Sequence, residues 1–187
     1  MSTKNHLDRY EIRLAGEGGQ GMILAGIILA EAAAIYDGKN ACQTQVYGPE
    51  ARGGASKAEV IIAQGEIDHP EVITADALVA MSQEACDKYG SNLKKEGWLI
   101  VDQEKVGRVP SSRAIKVPIT RLAQESSGKT ITANVVALGV LVGLTEVVSR
   151  AAIEKAVAAR APRGTEAMNK AALEAGFTAA DLISKKD

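Results

Sequence analysis

Between residues 10 and 36 the chain reads YEIRLAGEGGQGMILAGIILAEAAAIY: a short apolar run, a glycine-dense hexapeptide, then a long apolar run. This predicts a strand over 10–15, a tight turn over Gly16–Gly21 and a helix over 22–35. Glycines permit the positive φ angles of such a turn and let backbone N–H groups approach an anion at the helix N-terminus. Glu31 is the only charged residue between 22 and 35. A helix apolar nearly all round must be covered on most sides, by sheet and by a neighbouring layer or chain. Gly38 is placed to stop it.

The hexapeptide fits G-x-G-x-x-G, the spacing of dinucleotide-binding turns. Such folds also need an acidic residue about 20 residues on, at the end of the second strand. Around that spacing stand Asn40, Ala41 and Cys42; Asp37 precedes the second strand and Glu50 lies late beyond it. The pattern therefore argues against a nicotinamide dinucleotide. Two readings of Gly16, Gly18, Gly19 and Gly21 remain. They hold an anion, or they permit a sharp turn and close packing against a partner. Gln20, a neutral donor and acceptor between glycines, is placed to meet either a ligand or a facing backbone.

A second loop, YGPEARGGAS at 47–56, follows a predicted strand over 40–47. Pro49 stiffens it, Gly53 and Gly54 remove bulk, and Arg52 offers a forked cation suited to phosphate or carboxylate. If the first two strands are parallel neighbours, the two glycine loops converge. The alternative is a hairpin in which Arg52 pairs with Glu50 or with water.

Further strands are predicted over 57–64, 75–82, 97–103 (entered through Gly97) and 113–117. Short helices are predicted over 83–95 and in ITRLAQESSG. From Thr132 the pattern is helical: a segment opened by Asn134, a second capped by Ser149, and a third from Thr165 to Ala175 ended by Gly176. Strands alternating with helices, followed by a helical tail, give one three-layer α/β domain over residues 1–187.

The remaining composition mainly excludes. Lys and Arg total 22 against 23 acidic residues, so there is no basic surface for sequence-independent nucleic-acid binding. The polar first nine residues lack a signal core, and VVALGVLVGL at 135–144 falls short of the roughly 20 residues of a membrane helix. A cytoplasmic location with reduced thiols is expected. Cys42 and Cys86 are too few for an iron–sulfur cluster held by this chain alone. His6 and His69 are isolated, Asp102 suits a cap, and no nucleophile, general base or metal cluster stands out. No catalytic residue and no metal ligand are assigned.

GEGGQGMILAG, TQVYGPEARGGASKAEVIIA and ADALVAMSQEA together resemble the gamma subunit of 2-oxoacid:ferredoxin oxidoreductases. Within the family the chain is most similar to the 2-oxoglutarate type. The resemblance spans the first 100 residues and, more loosely, ANVVALGVLVGLTEVVSRAAIEKAV and EAMNKAALEAG. It implies an α/β/α fold with a mixed, mostly parallel sheet, like domain III of pyruvate:ferredoxin oxidoreductase, with a helical C-terminal part. It also implies CoA-dependent oxidative decarboxylation to an acyl-CoA (succinyl-CoA) with reduction of ferredoxin. Thiamine diphosphate, Mg and Fe–S clusters would reside in alpha, beta and delta partner subunits, and coenzyme A would be a co-substrate. The isolated chain would be inactive and could form a homodimer. The contacts implied for coenzyme A or a partner subunit are Gly16, Gly18, Gly19, Gln20, Gly21, Glu50, Arg52, Gly53 and Gly54. The rival readings are a stand-alone dinucleotide-binding oxidoreductase and a purely structural assembly subunit.

Overall fold

A computed structural model describes residues 9–46 and 55–185. Its frame is a six-stranded sheet in the order β2-β3-β1-β4-β5-β6. The strands are β1 (Arg9–Gly16), β2 (Asn40–Val46), β3 (Ser56–Ala63), β4 (Ala75–Ala80), β5 (Leu93–Asp102) and β6 (Ile115–Val117). β1 pairs parallel with β4, β4 with β5, and β5 with β6, whereas β3 lies antiparallel between β1 and β2. The sheet is thus mixed and mostly parallel, with β3 alone reversed.

Alternation along the strands splits the interior into two layers. Ile12, Leu14, Val60 and Val79 face a thick helical side made of α1 (Met22–Glu31), α3 (Ile119–Ser127), α4 (Ala133–Thr145), α5 (Arg150–Arg160) and α6 (Glu166–Ser184). Ala15, Leu78, Ala80 and Val101 face the opposite side, where α2 (Gln83–Tyr89) contributes Ala85, Cys86 and Tyr89. The three layers are therefore unequal. α1 is buried along Met22, Ala25, Gly26, Ile28 and Leu29 by the sheet and by α4 and α5. A π-helical turn at Ala32–Tyr36 ends it, and Gly38 takes a left-handed φ of 65° just beyond. Leu24 and Ile35 stay exposed.

Three expectations are corrected. The helix predicted over 83–95 stops at Tyr89, and 93–96 opens β5, so Gly97 lies inside the strand rather than at its start. There a register shift bulges β5 against β4, and a Cβ on Gly97 would stand 3.0 Å from the Asp76 carbonyl oxygen. The third C-terminal helix does not end at Gly176 but continues to Ser184, because that glycine lies against α4, where only a residue without a side chain fits. The first two strands run the same way but are not neighbours, since the hairpin return β3 fits between them.

Local caps follow the sequence. The Ser149 hydroxyl accepts from Ala152 N–H, and both Asp37 carboxylate oxygens accept from Ser149. Fully buried Asp102 accepts from the Thr120 N–H at 2.9 Å and from its hydroxyl, and so caps α3. His69 is exposed in the turn after β3. Among the described residues no helix is long and apolar enough to cross a membrane.

Candidate functional site

One row of paired residues crosses the whole sheet: Val46, Lys57, Ala15, Ala80, Val101 and Lys116. Beyond it lie the C-terminal ends of every strand but β3, the edge where open α/β sheets carry their ligands. The glycine turn leaves β1 here, and β2 ends and β3 begins at the same edge. Convergence of the two loops was expected of neighbouring strands; β3 lies between β1 and β2, and only the strand ends that carry the loops share this edge. Glu50, Arg52, Gly53 and Gly54 themselves lie outside the described residues.

The four glycines of the turn serve different purposes. Gly16 is buried, its carbonyl accepts from the Ser56 hydroxyl, and a Cβ there would collide with the Gln20 side-chain oxygen. Gln20 folds back over it: Nε2 donates to the Met81 carbonyl at 3.0 Å, and Oε1 accepts from Glu17 N–H at 2.8 Å. The amide thus ties the turn to the end of β4, where Met81 N–H already bonds to the Ala15 carbonyl. Gln20 meets a facing backbone. Gly21, at φ 74°, caps α1, and a Cβ there would stand 2.7 Å from Asn134 Nδ2. Gly18 and Gly19 differ, because a Cβ on either would meet nothing within 4 Å among the described residues. Both are exposed, and Gly19 has φ 90°.

Asn134 links the helical layer to the glycine turn. It sits in the first turn of α4, behind the Thr132 cap, and is buried. Its Oδ1 accepts from Val135 N–H, while Nδ2 reaches the Gly21 carbonyl at 3.4 Å, joining the starts of α4 and α1. Its place before a long apolar run was the available signal; its reach across 113 residues was not.

A cavity of about 400 Å³ opens beside this junction, lined by Gly19, Gly21, Leu24, Ile131, Arg160 and Met168 among others. The starts of α1, α4 and α6 and the end of α5 border it, and Lys129 stands at its rim. Its walls are largely apolar, and Leu24 and Ile131 are 41% and 72% exposed. Arg160 is held by both oxygens of Glu31, whose carboxyl that hydrogen bond keeps below the usual carboxylate range. Chemically, the edge offers backbone donors, a basic rim and an apolar wall: the means to hold an anionic ligand with an apolar arm.

The opposite face of the sheet carries a buried ion pair in mid-strand. Arg13 and Glu59 are directly paired across β1 and β3, with Arg13 Nε 2.8 Å from Glu59 Oε1. Arg13 also donates to the Val72 carbonyl, stands 5.3 Å from the Tyr89 ring centroid, and leaves Nη1 unpartnered among the described residues. Neither residue was singled out from sequence, although an Arg and a Glu inside apolar strands were a visible signal.

The geometry also bears on the dinucleotide reading. A dinucleotide fold packs its second parallel strand directly beside the first; here β3 occupies that place.

Comparison with known proteins places these features in a family. The family model described as pyruvate ferredoxin/flavodoxin oxidoreductase matches residues 11–179. The chain is 50% identical to the 2-oxoglutarate synthase subunit KorC of Methanocaldococcus jannaschii, over 96% of this chain and 98% of that one. It is similar in structure to a keto/oxoacid ferredoxin oxidoreductase gamma subunit from Geobacter sulfurreducens, with a TM-score of 0.85, 50% identity, and 93% and 97% of the two chains covered. It shares its fold with part of the 2-oxoglutarate:ferredoxin oxidoreductase of Magnetococcus marinus, at a TM-score of 0.82 and 22% identity, over 94% of this chain and 31% of that one. The match across residues 11–179 takes in both the sheet with its glycine edge and most of the helical layer, and the chain belongs to the pyruvate ferredoxin/flavodoxin oxidoreductase family.

Proposed function

We propose that this chain is the gamma subunit of a 2-oxoglutarate:ferredoxin oxidoreductase. In that complex 2-oxoglutarate is oxidatively decarboxylated, coenzyme A takes the succinyl group, and ferredoxin takes the electrons. The reading rests on the KorC likeness across nearly the whole of both chains. Thiamine diphosphate with Mg and the Fe–S clusters belong to the alpha, beta and delta partners of this cytoplasmic complex. This chain, one domain over 1–187, adds a shaped surface and no catalytic residue.

The glycine edge is the part of that surface turned toward the shared site. The observation that supports this is the open space over Gly18 and Gly19, beside a cavity with apolar walls and a basic rim. Coenzyme A combines phosphates with an apolar arm, which suits both features. Gly16 and Gly21 shape the turn, Gln20 fixes it to β4, and Gly18 and Gly19 are the close-approach positions. Glu50, Arg52, Gly53 and Gly54 complete the lip, with Arg52 as the anion contact. The test is the kinetics of a reconstituted complex carrying Arg52→Ala. A raised KM for coenzyme A or weakened subunit assembly is expected; both unchanged would remove Arg52 and the second loop from the site.

A further inference from the structure

Arg13 and Glu59 are 3% and 8% exposed, an ion pair enclosed between β1 and β3. As a stabilising contact the pair is poorly made. One Glu59 oxygen, Oε1, takes Arg13 Nε, Arg13 Nη2 and Lys57 Nζ, at 2.8, 2.8 and 2.9 Å. Arg13 Nη1 has no partner among the described residues. A buried ion pair often gives no more stability than apolar residues of similar volume, and its best-attested use is to fix how two segments align.

β3 needs such a device. Val60, Ile61, Ile62 and Ala63 form an unbroken apolar run, buried on both faces of the sheet. Shifting β3 by one residue against β1 would turn Glu59 to the helical side, among Ile12 and Leu14. A shift by two keeps every side chain on its present face, so the apolar pattern alone does not forbid it. The charges do. Moved one way, Arg13 would stand across from Lys57 and Glu11 across from Glu59, two like-charge pairs side by side. Moved the other way, Arg13 would face Ile61 and Glu59 would face Ala15. Only the observed register sets Arg13 directly opposite Glu59.

We infer that Arg13 and Glu59 are positioning residues: they lock the register of β3 and so hold Ser56 against Gly16 at the glycine edge. In this register Ser56 is paired with Gly16, and its hydroxyl donates to the Gly16 carbonyl. A two-residue shift moves the start of β3 by about 7 Å along β1 and leaves that carbonyl without its donor. The consequence for turnover rests on the glycine edge belonging to the shared site; the register itself does not.

Nuclear magnetic resonance on the full-length chain reads the register directly. The wild type should give one set of amide signals, with cross-strand contacts joining Leu14 to Ala58. The double variant Arg13→Met with Glu59→Leu removes both charges. It should keep a urea midpoint near that of the wild type, yet give a second set of β1 and β3 signals in which Ala58 contacts Ile12 or Gly16 instead. In the reconstituted complex kcat should fall by the share of the second set, at an unchanged KM for coenzyme A. Arg13→Lys should behave in the opposite way. Its midpoint should drop, because an ammonium lacks the fork that spans Glu59 and the Val72 carbonyl, but its signals should stay single and its kcat unchanged. The inference is overturned if the double variant shows only the native contacts, or if it fails to fold, since the pair would then act through stability. It is equally overturned if Arg13→Lys mixes registers. Mixed registers with undiminished turnover would remove the glycine edge from the shared site and leave the register assignment standing.

Discussion

Gly139 of α4 and Gly176 of α6 meet backbone to backbone. A Cβ built on Gly176 would stand 2.8 Å from the Gly139 Cα and would overlap the Val136 carbonyl oxygen. The reverse substitution fares no better, since a Cβ on Gly139 would stand 2.5 Å from the Leu173 carbonyl oxygen. Both obstacles are backbone, which cannot step aside as a flexible side chain can. Alanine in a helix gains about 1 kcal/mol over glycine, but overpacking a tight contact costs roughly 1–3 kcal/mol, and more when backbone must move. Gly176→Ala should therefore destabilise the chain by about 1–3 kcal/mol despite its better helix propensity. Urea denaturation checks this through a lower midpoint at unchanged slope.

The two thiols should differ in reactivity. Cys86 is fully buried on the inner face of α2, and burial first, then the Asp87 charge, pushes its thiol pKa up. The thiolate is the reacting form, so both effects protect it. Cys42, on the edge strand β2, is half-exposed. Titration of the native chain with a disulfide reagent at pH 8 should modify Cys42 first, and Cys86 should react only after denaturant is added. Prompt modification of both would mean that α2 opens readily.

These thiols also mark what the sequence could convey. Strand–turn–helix alternation located β1, β2, β3 and β4 within a residue or two, and α1 only when its π-helical end at Ala32–Tyr36 is counted with it, because apolar runs and glycine punctuation report local backbone preferences directly. The order of the strands was not local information. That β3 slips between β1 and β2 depends on Arg13 facing Glu59 and on Ala58 fitting against Gly26, contacts among residues more than 30 positions apart. Gly176 was misread for the same reason: a glycine after a helical run looks like a stop, and only the facing Gly139 reveals a crossing. At the site, the glycine motif itself was legible. The division of labour within it was not, since Gly16 answers to Gln20, Gly21 answers to Asn134, and Gly18 answers to nothing among the described residues.

Acid should weaken the tie between α1 and α5. Glu31 binds Arg160 through both carboxylate oxygens, and this hydrogen bond holds the Glu31 carboxyl below its usual value of 4.5. A group whose folded pKa is depressed stabilises the fold above its unfolded pKa. That contribution is lost as pH falls through the folded value. Stability from this pair should hold from neutral pH down to about 5 and decline below about 4.5. The difference in urea midpoint between the wild type and Glu31→Gln should accordingly shrink toward zero as the pH is lowered. Because the pair is partly exposed, it should also shrink in high salt. A difference that stays constant between pH 7 and pH 3 would show that the glutamate acts through packing rather than charge.

The most discriminating substitution lies in the turn itself. Among the described residues Gly18 has no positive φ and no neighbour within 4 Å of a Cβ, whereas Gly19 has open space but a φ of 90° that alanine would strain. Gly18→Ala should therefore leave the isolated chain's stability within about 0.5 kcal/mol of wild type, as exposed substitutions generally do. If coenzyme A or a partner subunit comes close to this turn, the added methyl occupies that approach. Turnover of the reconstituted complex should then fall at least about tenfold, which corresponds to about 1.4 kcal/mol of lost stabilisation at the transition state. Comparing the KM for coenzyme A with the yield of assembled complex separates the two kinds of contact. A raised KM with intact assembly identifies the ligand, and reduced assembly identifies the subunit. If stability, turnover and assembly are all unchanged, the open space over Gly18 is only solvent, and the glycine edge is a folding device rather than part of the shared site.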